Sequence, residues 1–223
     1  MPCYYQDCLL PPTTKEHIPP KAFFPDDQRD QLLTVKSCEL HNNSKSHDDT
    51  YVLSQICLNA SPANRAREIF EERILPQLSF NADAFRKTLT KDARQLPGGA
   101  VQYSVDLARC DAFFTALSFG IVCKANRFPI PSNYSARHIY HNFHDSSATL
   151  EETEIEALIE KTYSGDAMQL FNFGSLKLSN SAVYSVKLFG LPNFGSSITL
   201  VHLFYGVFKV TSMLSKHIVG LRD

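Results

Sequence analysis

The first 56 residues have too few apolar side chains to build a core of their own, yet they carry two pairs of metal-binding side chains: Cys3 with Cys8, and Cys38 with His41. A segment this small and polar needs a staple if it is to hold a fold. Zinc takes thiolates and imidazoles in tetrahedral sites, and ligands two residues apart on a tight turn can meet one ion. Cys38 and His41 have that spacing; Cys3 and Cys8, separated by four residues, are looser. Two alternatives stand at this point. The four are ligands of one structural zinc, whose binding free energy folds the segment, or they are two surface thiols, a buried thiol and an incidental imidazole.

The remaining cysteines, Cys57, Cys110 and Cys123, sit in apolar surroundings and read as small buried hydrophobes. Cysteines clustered near one end fit metal chemistry in a reducing compartment better than a disulfide framework. Met1-Pro2-Cys3-Tyr4-Tyr5 has no basic segment followed by an apolar run, so no secretory signal is expected. Residues 198–214 are the most apolar stretch, but they contain His202 and Lys209 and are marginal in length for a membrane span. A soluble cytoplasmic protein is expected.

With 223 residues, 43% apolar and 20% charged, the chain is long enough for one domain with an appendage or for two small ones. The net charge of −1 argues against a protein that is basic all over. A local cationic groove remains compatible with that total.

Beyond residue 56 the pattern turns helical. Ser61-Pro62 reads as an N-cap followed by proline in the first turn, with Ala63, Ala66, Ile69, Phe70 and Ile74 recurring until Pro76 ends the run. A second helix is predicted over 81–94, broken by Pro97-Gly98-Gly99. A third, over 104–124, sets Leu107, Cys110, Phe113, Phe114, Leu117 and Ile121 on one broad buried face. Residues 129–133 form a turn-rich break, and Thr149 with Glu152 is a capping box for a helix over 150–163. Strands are predicted over 174–178, 183–191 and 197–214, the last two joined by Pro192-Asn193-Phe194-Gly195. Apolar residues on both parities of the last strand suggest burial on both faces or an imperfect period.

Between the two ligand pairs lies Glu16-His17-Ile18-Pro19-Pro20, and the second pair runs directly into His41-Asn42. In this combination the sequence resembles the HNH endonucleases of the ββα-metal fold, in their zinc-containing form. The resemblance covers about the first fifty residues. It implies an α+β protein: a zinc-stapled ββα-metal (HNH) module in residues 1–56, then a helical and antiparallel-sheet domain in residues 57–223. It also implies metal-dependent hydrolysis of DNA phosphodiesters, with prokaryotic defence as one setting.

That chemistry needs an activated water and charge relief on the phosphate. An imidazole titrating near neutrality can take the water's proton, which makes His17 the candidate general base. A magnesium or manganese ion wants hard oxygen ligands and open positions; Glu16 and Asn42 carry over from the family as those ligands. Neighbours on a flat strand point oppositely, so the resemblance implies a twisted strand end bringing Glu16 and His17 together. His41 is read as a zinc ligand, with a catalytic-metal role as the alternative. His47 and Asp49 either complete the metal shell or are polar residues of a solvated helix.

Lys15, Lys21, Lys36 and Lys45 lie near the motif and are candidate phosphate contacts. Arg65, Arg67, Arg86, Lys87, Lys91 and Arg94 are interspersed with Glu68, Glu71, Glu72, Asp83 and Asp92, so a salt-bridged solvent face is equally plausible there. His138, His141 and His144, followed by Asp145, would gather a metal only on a helix; an ordinary packed segment is the preferred reading. Residues 57–223 carry no recognised motif and are open to dimerisation, target selection or sensing. Two rival functions stand beside the DNA endonuclease: a non-catalytic zinc module binding nucleic acid or protein, and an RNase toxin.

Overall fold

A computed structural model describes residues 2–30, 32–43, 46–60, 63–80, 83–144, 147–164, 180–190, 195 and 197–217, with Ser46 and His47 described in backbone only. The protein is a mixture of helices and antiparallel sheet, as expected. Strand β1 (Thr14–His17) pairs antiparallel with β2 (Thr34–Ser37), setting Thr14 opposite Ser37, Lys15 opposite Lys36, Glu16 opposite Val35 and His17 opposite Thr34. The connection is rich in proline and folds into two short 3-10 turns, Lys21–Phe23 and Asp26–Gln28. The Ile18–Pro19 peptide is cis. Phe23 anchors the connection: it is fully buried, stacks on Phe113 at 5.3 Å, and its carbonyl accepts from the Tyr205 hydroxyl at 2.9 Å.

Helices α1 (Glu39–Asn43) and α2 (Ser46–Asn59) follow β2 directly. The residue at which the two-part reading divides the chain, 56, therefore lies inside α2. Ile56 and Cys57 belong to one buried cluster that extends from Cys3 to Leu214.

The next helical run departs from expectation at Pro76. Helix α3 (Asn64–Ile69) passes through a wider π turn, Phe70–Ile74, into α4 (Leu75–Leu78), so the run continues past the proline. A proline ring clashes with the carbonyl four residues before it, here that of Glu72. Glu72 lies in the widened turn, where the Leu75 N–H reaches back five residues to Phe70 O, and the widening relieves the clash. The predicted cap Ser61-Pro62 lies outside the described residues.

The helix expected over 81–94 is corrected. Helix α5 (Ala84–Leu89) stops early and gives way to a two-stranded pair, β3 (Lys91–Gln95) with β4 (Val101–Ser104). Asp92 adopts φ 56 beside a register shift, and Gly98 and Gly99 both take φ 85 at the tip. All of β3 is exposed, so no apolar face was there to hold a helix in place.

Helix α6 (Leu107–Asn126) is the centre of the fold. Asp106 caps it, accepting from the Arg109 N–H at 3.4 Å, and Arg127 closes it in the left-handed region. Its predicted face is buried except for Leu107, which is 47% exposed in the first turn. Four antiparallel strands run in the order β5-β8-β7-β6: β5 (Tyr134–Tyr140), β6 (Tyr184–Phe189), β7 (Ile198–Phe204) and β8 (Phe208–Lys216). Helix α7 (Leu150–Ser164) is opened by the expected capping box: Glu152 Oε2 accepts from the Thr149 N–H at 2.8 Å and Thr149 Oγ1 accepts from the Glu152 N–H at 3.2 Å.

The single strand expected over 197–214 is two strands. Tyr205 (φ 53) and Gly206 (φ 72) turn the chain, and the Val207 N–H bonds to Phe204 O at 3.0 Å. Two successive positive φ values are what a tight hairpin of the right twist requires; tyrosine at the first position hid the turn. β7, between β8 and β6, is buried on both parities. The strand expected over 174–178 and most of the 192–195 connection lie outside the described residues. No described helix is long and apolar enough to cross a membrane.

Candidate metal centre and its surroundings

Cys3, Cys8, Cys38 and His41 come from three places in the chain and meet at one point. The Tyr4 N–H donates to Lys36 O at 2.9 Å, laying the N-terminal segment beside β2, so that Cys3 arrives next to Cys38. A turn with Asp7 at φ 56 brings Cys8 back to the same place. Cys38 directly follows β2 and starts a helical turn, in which the Asn42 N–H donates to Cys38 O at 3.1 Å; His41 therefore sits one turn on, over Cys38.

The ligand atoms all lie within 4.8 Å of one another, with Cys3 and Cys38 buried. Cys8 Sγ is 3.7 Å from Cys38 Sγ, and His41 Nδ1 is 3.6 Å from Cys3 Sγ and 3.2 Å from Cys38 Sγ. Zinc–sulfur and zinc–nitrogen bonds of usual length give tetrahedral edges of about 3.8 Å between sulfurs and about 3.5 Å between sulfur and nitrogen. The four residues could hold a metal ion, and the set is compatible with a structural zinc bound through His41 Nδ1.

Backbone amides already serve the sulfurs. The Cys38 N–H donates to Cys3 Sγ at 3.4 Å and the His41 N–H to Cys38 Sγ at 3.5 Å. Burial raises the Cys38 thiol, but hydrogen bonds from the His41 N–H, the Cys8 and Cys3 thiols and the Leu40 N–H outweigh it and leave the pKa below the ordinary value. Burial, followed by hydrogen bonding to Cys38 and Cys3, pushes Cys8 up to about 11 against a lowering contact from Leu10. A cation among them would favour the thiolates and release protons on binding. Tyr5 stacks on the His41 ring at 4.2 Å and meets Phe119 of α6 edge-on at 5.9 Å, fixing the imidazole.

Compared with known proteins, the chain matches no family model, no curated protein and no solved structure.

Glu16 and His17 occupy the end of β1, and α1, which carries Asn42, packs against that strand. The register is regular to the end of β1, so the twisted strand end that the resemblance implies is not found: alternation sets half-buried Glu16 on the face of buried Val35 and His17 on the face of exposed Lys15 and Lys36. The Tyr4 hydroxyl hydrogen-bonds to Glu16; burial first, then the Glu16 charge, holds that hydroxyl far above the usual tyrosine range. The His17 imidazole is lowered from its ordinary value by partial burial and then by the Lys21 charge. It is thus neutral, and able to accept a proton, at neutral pH.

Among the described residues no second group of three His, Cys, Asp or Glu side chains converges on one point. Asp49 joins no such group, and the side chains of His47 and Lys45 lie outside the described ones. The histidine segment is packed, as preferred from the sequence, and not a helical ladder: His138 is on strand β5 and His141 just after it. Both ring nitrogens of His138 are engaged, Nε2 with Thr115 Oγ1 at 2.9 Å and Nδ1 with Ser212 Oγ at 2.8 Å, while His141 Nε2 meets Thr211 Oγ1 at 2.9 Å. On the helical segments, Arg65 pairs with Glu68 and Arg86 with Asp83, each at 2.7 Å, which favours the solvent-face reading for those arginines. Sequence reasoning did not single out Tyr4 and Tyr5 as supports of the site. Their position between Cys3 and Cys8 was the available signal.

Proposed function

We propose that this protein is a metal-dependent endonuclease of the HNH type that hydrolyses DNA phosphodiesters. One observation carries the reading: a strand pair and helix stapled by a Cys/His tetrad, with Glu16-His17 at the strand end and Asn42 one residue after a tetrad member. A purely structural zinc module has no need of that acid, imidazole and amide around its staple.

In this mechanism His17, neutral through partial burial and the nearby Lys21 charge, takes the proton of the attacking water. Glu16, oriented by the Tyr4 hydroxyl, and Asn42 would hold a magnesium or manganese ion. When bound, that ion supplies charge relief on the phosphate and the leaving oxygen. Cys3, Cys8, Cys38 and His41 would hold a zinc that takes no part in the reaction and would tie β2 and α1 to the N-terminal segment. Lys15, Lys21 and Lys36 supply cations for the backbone of the substrate.

A second reading has an observation in its favour. Strand alternation separates Glu16 from His17, as suits a zinc module that binds nucleic acid without cutting it. The His17→Ala variant distinguishes the two. The nuclease reading expects cleavage to fall by a factor of about 100 or more with zinc content and melting temperature unchanged. Equal cleavage by the variant removes His17 from the mechanism.

A further inference from the structure

Lys15 and Lys36 are direct cross-strand partners in the β1–β2 pair, and both are exposed. Side chains so placed start roughly 5 Å apart, and like charges there repel. Two residues along each strand, on the same face, stand His17 and its partner Thr34. A third cation arrives from far away in sequence: Lys124, in the last turn of α6, donates from Nζ to the Thr34 carbonyl at 3.0 Å with its side chain exposed. Among the described residues none of the three ammonium groups has a carboxylate partner, although the chain as a whole has one more acid than base. Some cations elsewhere are paired, as in Arg65–Glu68, Arg86–Asp83 and Lys209–Glu160, and others such as Lys161 are not, so what sets Lys15, Lys36 and Lys124 apart is their convergence on one strand pair. Charge is thus left uncompensated on the face that carries His17, where it weakens the strand pair.

We infer that Lys15, Lys36 and Lys124 form a phosphate track that holds one DNA strand across the exposed face of the hairpin and delivers it to His17. The inference rests on the nuclease reading for its substrate and adds Lys124, which joins the hairpin to α6 in a single binding surface. The two rows, Lys15/Lys36 and His17/Thr34, are about 6.8 Å apart along the strands. A backbone gripped at the first row therefore passes directly over the second. Contacts of this kind carry no base information, so the track binds every sequence alike.

The test uses full-length, zinc-loaded protein with His17→Ala to silence cutting, and a labelled DNA duplex titrated at several salt concentrations. Removing a phosphate-contacting lysine flattens the slope of log K against log salt by about 1. The triple variant Lys15→Gln/Lys36→Gln/Lys124→Gln should flatten it by about 3, and the control Lys161→Gln, on α7, by nothing. A second readout is thermal: Lys36→Gln should keep or raise the melting temperature at low salt, because it removes a repulsion. An unchanged slope in the triple variant, no duplex binding by its parent, or a lowered melting temperature in Lys36→Gln overturns the track. Plasmid cleavage by the wild-type chain, run in parallel, keeps the two claims apart. Cutting with an unchanged slope sinks the track alone; a flattened slope without cutting upholds the track and sinks the nuclease.

Discussion

His41 Nδ1 lies 3.2 Å from Cys38 Sγ, one helical turn away, while the ring of the same histidine is stacked on Tyr5. The imidazole is therefore oriented by packing toward the sulfurs, the arrangement expected of a ligand and not of a surface histidine. The purified chain should hold one zinc, and X-ray absorption should show about three sulfurs near 2.3 Å and one nitrogen near 2.0–2.1 Å. Cys38→Ser should lose the metal and expose the first forty residues to protease. Full zinc content in that variant would disprove the ligand set.

Gly120 of α6 marks the point where the helix touches the hairpin. A Cβ there would stand 3.0 Å from Ile18 Cγ2 and 3.2 Å from Ile18 Cδ1, and Ile18 directly follows His17. Gly120→Val should cost about 1–3 kcal/mol through overpacking and should reduce cleavage further by displacing His17. Denaturation and cleavage of the same preparation check it; an active, equally stable variant would show that the contact does not position the histidine.

One buried and one half-buried histidine make the sheet sensitive to acid. His202, fully buried, lies between the Tyr184 hydroxyl at 2.8 Å and Ser118 Oγ at 3.2 Å, and burial lowers its pKa to about 3; burial lowers His138 to about 4. In the unfolded chain both titrate near 6.5. Between about pH 6.5 and 4 the unfolded state takes up protons that the folded state refuses, so stability falls as pH falls. The slope is about 1.4 kcal/mol per pH unit for each histidine, and about 2.7 for the two. Urea midpoints measured at pH 7 and pH 5 should separate accordingly, and His202→Leu should shrink the difference. No change in midpoint would mean that these imidazoles are hydrated.

The cleavage rate should rise with pH as His17 loses its proton, with a midpoint below 6.5, because burial and then the Lys21 charge lower the imidazole. Lys21→Gln removes a positive neighbour and should move that midpoint upward, toward the ordinary value. A pH–rate profile of the two proteins decides the matter; coincident profiles would show that Lys21 does not act on the base.

The Cys/His tetrad was legible because ligand chemistry dictates spacing: Cys38 and His41, three positions apart, sit one helical turn from each other. Helix α6 was legible from the helical spacing of its apolar residues, and the capping box of α7 because Thr149–Glu152 is a local contact. What escaped the sequence depends on distant partners or on backbone conformations that few residues signal. The turn at Tyr205-Gly206 puts a tyrosine at positive φ, a position usually taken by asparagine, aspartate or glycine. Pro76 ends a helix by ordinary rules, and only the widened turn at Phe70–Ile74 accommodates it. Lys124 reaches Thr34 across 90 positions, and no local pattern announces that contact.

The most direct test of the nuclease claim is cleavage of supercoiled plasmid and of structured RNA by the zinc-loaded protein, with magnesium, with manganese and with EDTA. The account predicts nicked and linear DNA with either ion, none with EDTA, and intact RNA. Cleavage of RNA alone would replace the substrate, and cleavage that survives EDTA, or intact DNA under every condition, would contradict the metal-dependent DNA endonuclease.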